Sequence, residues 1–316
     1  MEESGEKTPL VIVCGPTATG KSSLAVQLAL AVNGEVVSAD SMQVYKGLDI
    51  ATAKIEEGER KGIPHHMIDI VEPNRVFSVA DYIILAKKQI YNIAAGGKIP
   101  IICGGTGLYI YSLIKGLDSA KGRSDIRKTI AGEFDAKGAD RLIEEVRTID
   151  PAAAKRLHSN DRKRVIRAVE LLRAPEVADK KERTTGIGGD FAVLDVFIGY
   201  EDRHILHKKI AERVDNMMSK GLLEEAGYVY ENKNDFHTAV QAIGYKEFFA
   251  YFDGSKELED AVEQLKISTR KYAKRQVTWF RNKPAGERIC GRTGFIDAGE
   301  INIRKITEEI KKHFKK

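Results

Sequence analysis

Leu10-Val-Ile-Val-Cys14 is an unbroken apolar run rich in β-branched residues, the pattern of a strand buried on both faces. A glycine-rich turn follows, and apolar positions then recur at helical spacing through Leu24, Leu28 and Ala31. Glu35-Val-Val-Ser-Ala39 predicts a second strand and Met67-Ile-Asp-Ile-Val71 a third. Ser78 with Asp81 makes a capping-box start for a helix running to about Ala95, which Gly96-Gly97 ends. Lys98-Ile-Pro-Ile-Ile-Cys103 predicts another buried strand, followed by Gly104-Gly-Thr-Gly107 and a further helix. Strands alternating with helices predict an α/β fold, a parallel sheet with helices on both faces. Residues 118 to about 173 break that rhythm and read as charged helices. From Arg173 to Asp190 the chain turns polar, and Gly186 to Gly189 reads as a flexible loop. Phe191 to Tyr200 restores a strand through Val193, Val196 and Phe197, and the chain is then mainly helical to about Arg281. The expected organisation is one α/β core of residues 1–117 and 191–316, interrupted by a helical insertion of residues 118–190.

Charge sharpens this division. Residues 118 to 173 hold 14 Lys or Arg against 10 Asp or Glu, and residues 266 to 288 hold 8 basic residues against Glu287 alone. The chain as a whole is only +5, so two segments concentrate the positive charge. They are either solvated helix faces or a polyanion footprint. No apolar run reaches the roughly 18 residues that span a bilayer. The polar start Met1 to Thr8 does not read as a signal peptide. Cys14, Cys103 and Cys290 lack metal-ligand spacing and read as reduced thiols of a cytoplasmic protein.

Gly15-Pro16-Thr17-Ala18-Thr19-Gly20-Lys21-Ser22 fits the phosphate-loop pattern, between a buried strand and an amphipathic helix. In such a P-loop, successive backbone N–H groups at a helix N-terminus converge on one anion, and the helix dipole favours negative charge there. Lys21 adds a point charge, and the Ser22 hydroxyl suits Mg²⁺. The loop specifies a pyrophosphate or nucleotide but not a reaction. Asp40 follows the second strand, and ligands of open α/β sheets bind beyond the carboxyl ends of strands. There it is a Mg²⁺ ligand or proton acceptor, or simply a turn aspartate. Thr106 reaches the same rim and also suits a helix N-cap. His65, His66 and Asp69 read as strand-edge structure, since adjacent histidines point different ways. Tyr272 and Trp279 lie on one helix face with Arg275 between them, a packed aromatic stripe flanked by cations.

Taken in series, these motifs resemble a known family. Gly15 to Ser22, Asp40-Ser41-Met42-Gln43 with Tyr45-Lys-Gly47, Pro64-His-His66, Gly104-Gly-Thr106, Gln241-Ala-Ile-Gly-Tyr-Lys246 and Thr269 to Trp279 are similar to tRNA dimethylallyltransferases (tRNA isopentenyltransferases), in order from about residue 10 to 282. The resemblance implies transfer of a dimethylallyl group from dimethylallyl diphosphate to N6 of adenosine 37, next to the tRNA anticodon. It assigns diphosphate and Mg²⁺ to the P-loop, proton removal to Asp40 and a helping role to Thr106. It gives the turned-out adenine to Asp40, Ser41, Met42 and Gln43, with Gln241 and Arg275 also facing tRNA. The anticodon stem-loop falls to the insertion, with Arg127, Lys163, Arg164 and Arg167. A monomer is expected. The chain departs from the family after Glu170, where relatives carry a Gly-Lys turn and this chain has Arg173-Ala-Pro-Glu176. The rival readings are a P-loop kinase of a small metabolite, an isopentenyltransferase acting on free adenine nucleotides, and a non-catalytic RNA-binding protein.

Overall fold

A computed structural model describes residues 7–119, 124–174, 182–289 and 295–314. The chain order runs β1 (Thr8–Cys14), α1 (Lys21–Val32), β2 (Gly34–Ser38), β3 (His65–His66), α2 (Val79–Ala95), β4 (Ile99–Gly104), α3 (Gly107–Lys115) and β5 (Gly116–Ser119). Then come α4 (Ser124–Lys137), α5 (Ala139–Ile149), α6 (Pro151–Ala154), α7 (Arg162–Arg173) and β6 (Glu182–Thr185). The chain closes with β7 (Phe191–Gly199), α8 (Arg203–Ser219), α9 (Leu222–Glu231), α10 (Phe249–Phe252), α11 (Leu258–Asn282), β8 (Glu287–Ile289), β9 (Ile296–Asp297) and α12 (Ile303–His313). It divides into two compact units, one of Met1–Gly116 with Gly186–Lys316 and the other of Leu117–Thr185.

In the first unit seven strands form one parallel sheet in the order β3-β2-β4-β1-β7-β8, with β9 also paired to β7. The pairings Cys14 with Gly104 and Ser38 with Cys103 bring the carboxyl ends of β1, β4 and β2 to one level. Side chains alternate across a strand. One face of the sheet, with Val11, Val13, Val36, Ile101 and Val196, packs on Leu24 and Leu28 of α1 and on Ile306 and Ile310 of α12. Ala31 is exposed, so the α1 stripe runs through Ala25 and Ala29 instead. Helices α2 and α3 pack on β2 and β4. A second apolar cluster joins Val44, Tyr45 and Leu48 to Val214, Leu222, Ala226, Tyr245, Phe248 and Leu265, and so backs the loop after β2 with α8, α9 and α11.

Several expectations change in detail. The third strand is His65–His66, not Met67 to Val71. Met67 (φ 64°) and Asp69 (φ 55°) turn left-handed, which an extended ladder cannot accommodate, and Asp69 and Ile70 donate instead to the carbonyls of Gln43 and Val44. The two histidines form the sheet edge: His66 Nε2 meets Glu35 at 2.7 Å, and His65 Nδ1 lies 2.8 Å from the Ile63 carbonyl. Gly186 to Gly189 is a pinned loop, because Ile187 and Gly188 donate to the carbonyls of Leu113 and Ile114. Strands β8 and β9 and helix α12 lie beyond the last segment read from the pattern. Cys290 and residues 175–181 fall outside the described residues.

The second unit has its own core. Ile130, Leu142, Ile143, Val146, Val165, Ile166 and Val169 close α4, α5 and α7 on one another. Glu170 is fully buried and receives Arg127 through Nε and Nη2 and Arg167 through Nη1 at 2.8 Å.

Candidate active site

The P-loop is shaped by backbone geometry before any charge enters. Gly15 has φ +148°, and a Cβ there would lie 2.2 Å from the Ile198 carbonyl oxygen, so only glycine lets β1 leave the sheet at this point. Gly20 takes φ +77° as the N-cap of α1. The Thr19 hydroxyl donates to the Pro16 carbonyl at 2.9 Å and closes the turn. The Lys21 ammonium folds back onto the same carbonyl. Gln276, buried on α11, ties the loop down from outside. Its Oε1 accepts from Thr17 N–H at 2.9 Å, and its Nε2 donates to Gly105 O at 3.0 Å. One amide therefore clamps the turn after β1 to the turn after β4.

Asp40 stands at the end of β2. Its Oδ1 accepts from Met42 N–H at 2.8 Å and Gln43 N–H at 3.4 Å, so it is a turn aspartate whatever its chemistry. Thr106 holds the N-cap position of α3 but makes no capping bond with its side chain. Its Oγ1 instead accepts from Ser41 N–H at 3.1 Å. The side-chain amide of Gln43 lies between the Ser38 hydroxyl and the carbonyls of Thr52 and Ala53.

These pieces surround one cavity of about 820 Å³. Of the residues singled out from the sequence, Thr17, Ala18, Gly20, Lys21, Ser22, Asp40, Ser41, Met42, Gln43, Gln241 and Arg275 line it. Gly15, Pro16, Thr19 and Thr106 stand behind that wall and shape it. Arg127, Lys163, Arg164 and Arg167 belong to the other unit, with Lys163 and Arg164 exposed on α7.

Arg213, Tyr272, Gln276 and Lys54 also line the cavity, none of them assigned a site role from the sequence. Gln276 and Tyr272 lay inside the basic and aromatic run of α11, where they look like ordinary packing. Arg213 sits in an amphipathic helix with no local signal at all. The Lys54 side chain is only 5 % exposed and is held by Asp49 and Asp69.

The electrostatics of the cavity are shared among few groups. Burial pulls the Lys21 amine down to about 8, opposed by Cys103 and Asp40 and reinforced by Arg213. Burial also lowers Arg213, with Asp40 opposing. The Cys103 thiol is pushed up to about 11 by burial, against Lys21 and a hydrogen bond from Ser22. Two cations kept partly out of water beside a carboxylate form a site ready for an anionic group on one side and a proton transfer on the other.

The family model for IPP transferase matches residues 43–283. The chain belongs to the IPP transferase family. Among curated family members, the tRNA dimethylallyltransferase of Bacillus subtilis (strain 168) is 46% identical over 286 residues, 88% of this chain and 89% of the relative. The tRNA dimethylallyltransferase of Caldanaerobacter subterraneus subsp. tengcongensis is 45% identical over 86% of this chain and 88% of its own length. Among solved IPP transferase structures, the full-length tRNA isopentenylpyrophosphate transferase of Bacillus halodurans is similar at 38% identity and TM-score 0.69, covering 98% of this chain and 97% of that one. A eukaryotic dimethylallyltransferase acting on tRNA is similar at 32% identity and TM-score 0.73, covering 92% of this chain and 74% of that one.

Proposed function

We propose that this chain transfers the dimethylallyl group of dimethylallyl diphosphate to N6 of the adenosine next to a tRNA anticodon and releases diphosphate. One observation carries the reading: Lys21 of the P-loop, Arg213 of α8 and Asp40 line a single cavity large enough for a prenyl diphosphate and a turned-out base. Lys21, Arg213 and the loop amides are assigned to the diphosphate, whose negative charge grows as the C1–O bond breaks. The adenine amine is a poor nucleophile until its proton leaves, and Asp40 takes that proton as the N6–C1 bond forms. Thr106, which holds the Ser41 N–H, is assigned a helping role toward the same amine.

Ser22 is the residue assigned to Mg²⁺. Ser22 is an exposed residue lining the cavity, and the described residues contain no cluster of three or more His, Cys, Asp or Glu that could hold a metal. A single hydroxyl completed by diphosphate oxygens and water suits Mg²⁺, which keeps much of its hydration. When bound, the ion would offset charge on the leaving diphosphate. Ser41, Met42, Gln43, Gln241 and Arg275 are assigned to the base and its neighbours. Arg127, Lys163, Arg164 and Arg167, on the Leu117–Thr185 unit, are assigned to the phosphates of the anticodon stem-loop. Every residue lining the cavity lies in the unit of Met1–Gly116 with Gly186–Lys316, and action as a monomer is part of the proposal. The buried free thiols Cys14 and Cys103 support a cytoplasmic setting, and no helix among the described residues is long and apolar enough to cross a membrane.

The test incubates the protein with tRNA, Mg²⁺ and dimethylallyl diphosphate and analyses the released nucleosides by mass spectrometry. Adenosine heavier by one dimethylallyl group, with stoichiometric diphosphate, is the expected product. Modification of free adenine nucleotides with none on tRNA would overturn the reading. Transfer of labelled γ-phosphate from ATP to a small acceptor, with no prenyl transfer, would do so as well.

A further inference from the structure

Glu225, on α9, does not line the cavity, yet its carboxylate is unusually occupied for a half-buried side chain. Oε2 accepts from the backbone N–H groups of Asp49 at 2.7 Å and Ile50 at 2.8 Å. Oε1 accepts from Ala51 N–H at 2.9 Å and from the Tyr245 hydroxyl at 2.9 Å. Three consecutive amides of the loop after β2 are thus gathered by one carboxylate from a helix about 175 residues away in sequence. The next two residues of that loop, Thr52 and Ala53, aim their carbonyls at Gln43 Nε2, at 3.1 and 3.3 Å.

Two converging carbonyls settle which end of the Gln43 amide faces them. A carbonyl only accepts, so the NH₂ end must point there, and both of its protons are spent. Oε1 already accepts from the Ser38 hydroxyl at 3.0 Å. Among the described residues, the remaining hydrogen-bonding capacity of this cavity-lining amide is the second lone pair of that oxygen. An acceptor fixed there pairs with an exocyclic amine and repels an exocyclic carbonyl, which distinguishes adenine from guanine.

We propose that Glu225 is a positioning residue for base recognition: by fixing the loop 49–53 it locks the Gln43 amide with its oxygen as the group offered to the base. The proposal rests on the prenyl-transfer reading for the identity of the base. Glu225→Gln tests it, because a glutamine keeps one oxygen only. Its NH₂ must then oppose at least one backbone N–H, those of Asp49 and Ile50 on one side or that of Ala51 on the other, where only the Tyr245 hydroxyl can turn to accept.

The first measurement needs no catalysis: solvent exchange of the Gln43 side-chain amide protons by NMR in the full chain. Exchange is expected to be slow in the parent protein and faster in folded E225Q. The second is steady-state kinetics on an anticodon stem-loop RNA. There kcat/KM falls about ten- to a hundredfold, the scale of a misplaced contact, while the KM for dimethylallyl diphosphate stays within about twofold. Preference for binding the stem-loop with adenosine over one with guanosine at the target position shrinks. Gln43→Leu shows the same losses, and the double variant is no worse than Q43L. If E225Q does not fold, Tyr245→Phe removes one of the four donors and shows the same pattern at smaller amplitude. Unchanged Gln43 exchange in folded E225Q, or losses that add in the double variant, overturns the proposal. A parent protein that leaves RNA unmodified would sink the prenyl-transfer reading instead, and the exchange measurement would still judge Glu225.

Discussion

Asp40 carries two tasks that a single substitution can separate. Its Oδ1 caps the turn through Met42 and Gln43, and asparagine keeps an acceptor there. What asparagine cannot do is take a proton. Asp40→Asn is therefore expected to leave the fold and the KM for dimethylallyl diphosphate nearly unchanged while kcat drops about 10²- to 10⁴-fold, the range for a general base. The check is steady-state kinetics repeated over a Mg²⁺ titration. Full recovery at high Mg²⁺ would make Asp40 a metal ligand instead. Lys21 gives a pH prediction. Its amine titrates near 8 in the folded protein against 10.5 in an open chain, because burial disfavours the ammonium. Between those values the unfolded chain binds more protons, so this group makes stability climb with pH across that window, and below about 8 its penalty is at its full value. Lys21→Met is expected to remove that climb. Urea midpoints at pH 7.5 and 10, without diphosphate, compare the variant with the parent. The variant should also lose at least about a hundredfold in turnover, the scale for one strong electrostatic group, with tRNA affinity intact.

At the scale of elements, α11 does more than supply cations. It brings Tyr272 to the cavity, Gln276 to both turns, and Trp279 against Gly107 at the start of α3. A Cβ on Gly107 would lie 2.1 Å from Trp279 Cδ1, too close for the two helices to keep their spacing. Gly107→Ala should therefore cost about 1–3 kcal/mol of stability, the usual size of an overpacking strain. Since the displaced helix also holds Gln276, the KM for dimethylallyl diphosphate should rise. Denaturant unfolding and kinetics on one preparation test both, and a stable variant with parental KM would detach α11 from the P-loop. Helix α2 and its neighbouring strands were legible because apolar spacing, the capping box at Ser78 and Asp81, and Gly97 are local signals. The clamp was not legible, because a glutamine among basic and aromatic residues carries no sign of partners 171 and 259 positions away.

At the scale of the whole molecule, positive charge on the Leu117–Thr185 unit takes two forms. Arg127 and Arg167 are anchored on buried Glu170, whereas the Arg164 side chain is 71 % exposed with Asp161 as its ion partner at 3.3 Å. An exposed cation meeting a phosphate releases one counterion per contact. Arg164→Ala together with Lys163→Ala is expected to weaken tRNA binding and flatten its salt dependence by up to about two units of slope, with kcat on saturating tRNA preserved. Binding isotherms across a salt series decide this, and an unchanged slope would return these side chains to a plain solvated surface.

Sequence alone determined what depends on neighbours along the chain. A β-branched run, a glycine pattern and a helical stripe specify strand, P-loop and helix wherever they occur, so β1, the loop and α1 could be read directly. Order along the chain also placed Asp40 at a strand end. Tertiary structure decided whatever depends on groups that meet only after the sheet is assembled. Parallel pairing set the ends of β1, β4 and β2 level, and burial there pulled Lys21 down and drew in Arg213, a residue without a motif. It also broke the expected strand at Met67, because the donors of Asp69 and Ile70 found the carbonyls of Gln43 and Val44. Local pattern carries the periodicity of the backbone, whereas desolvation and long-range hydrogen bonds arise from packing, and the reactivity of this cavity depends on both.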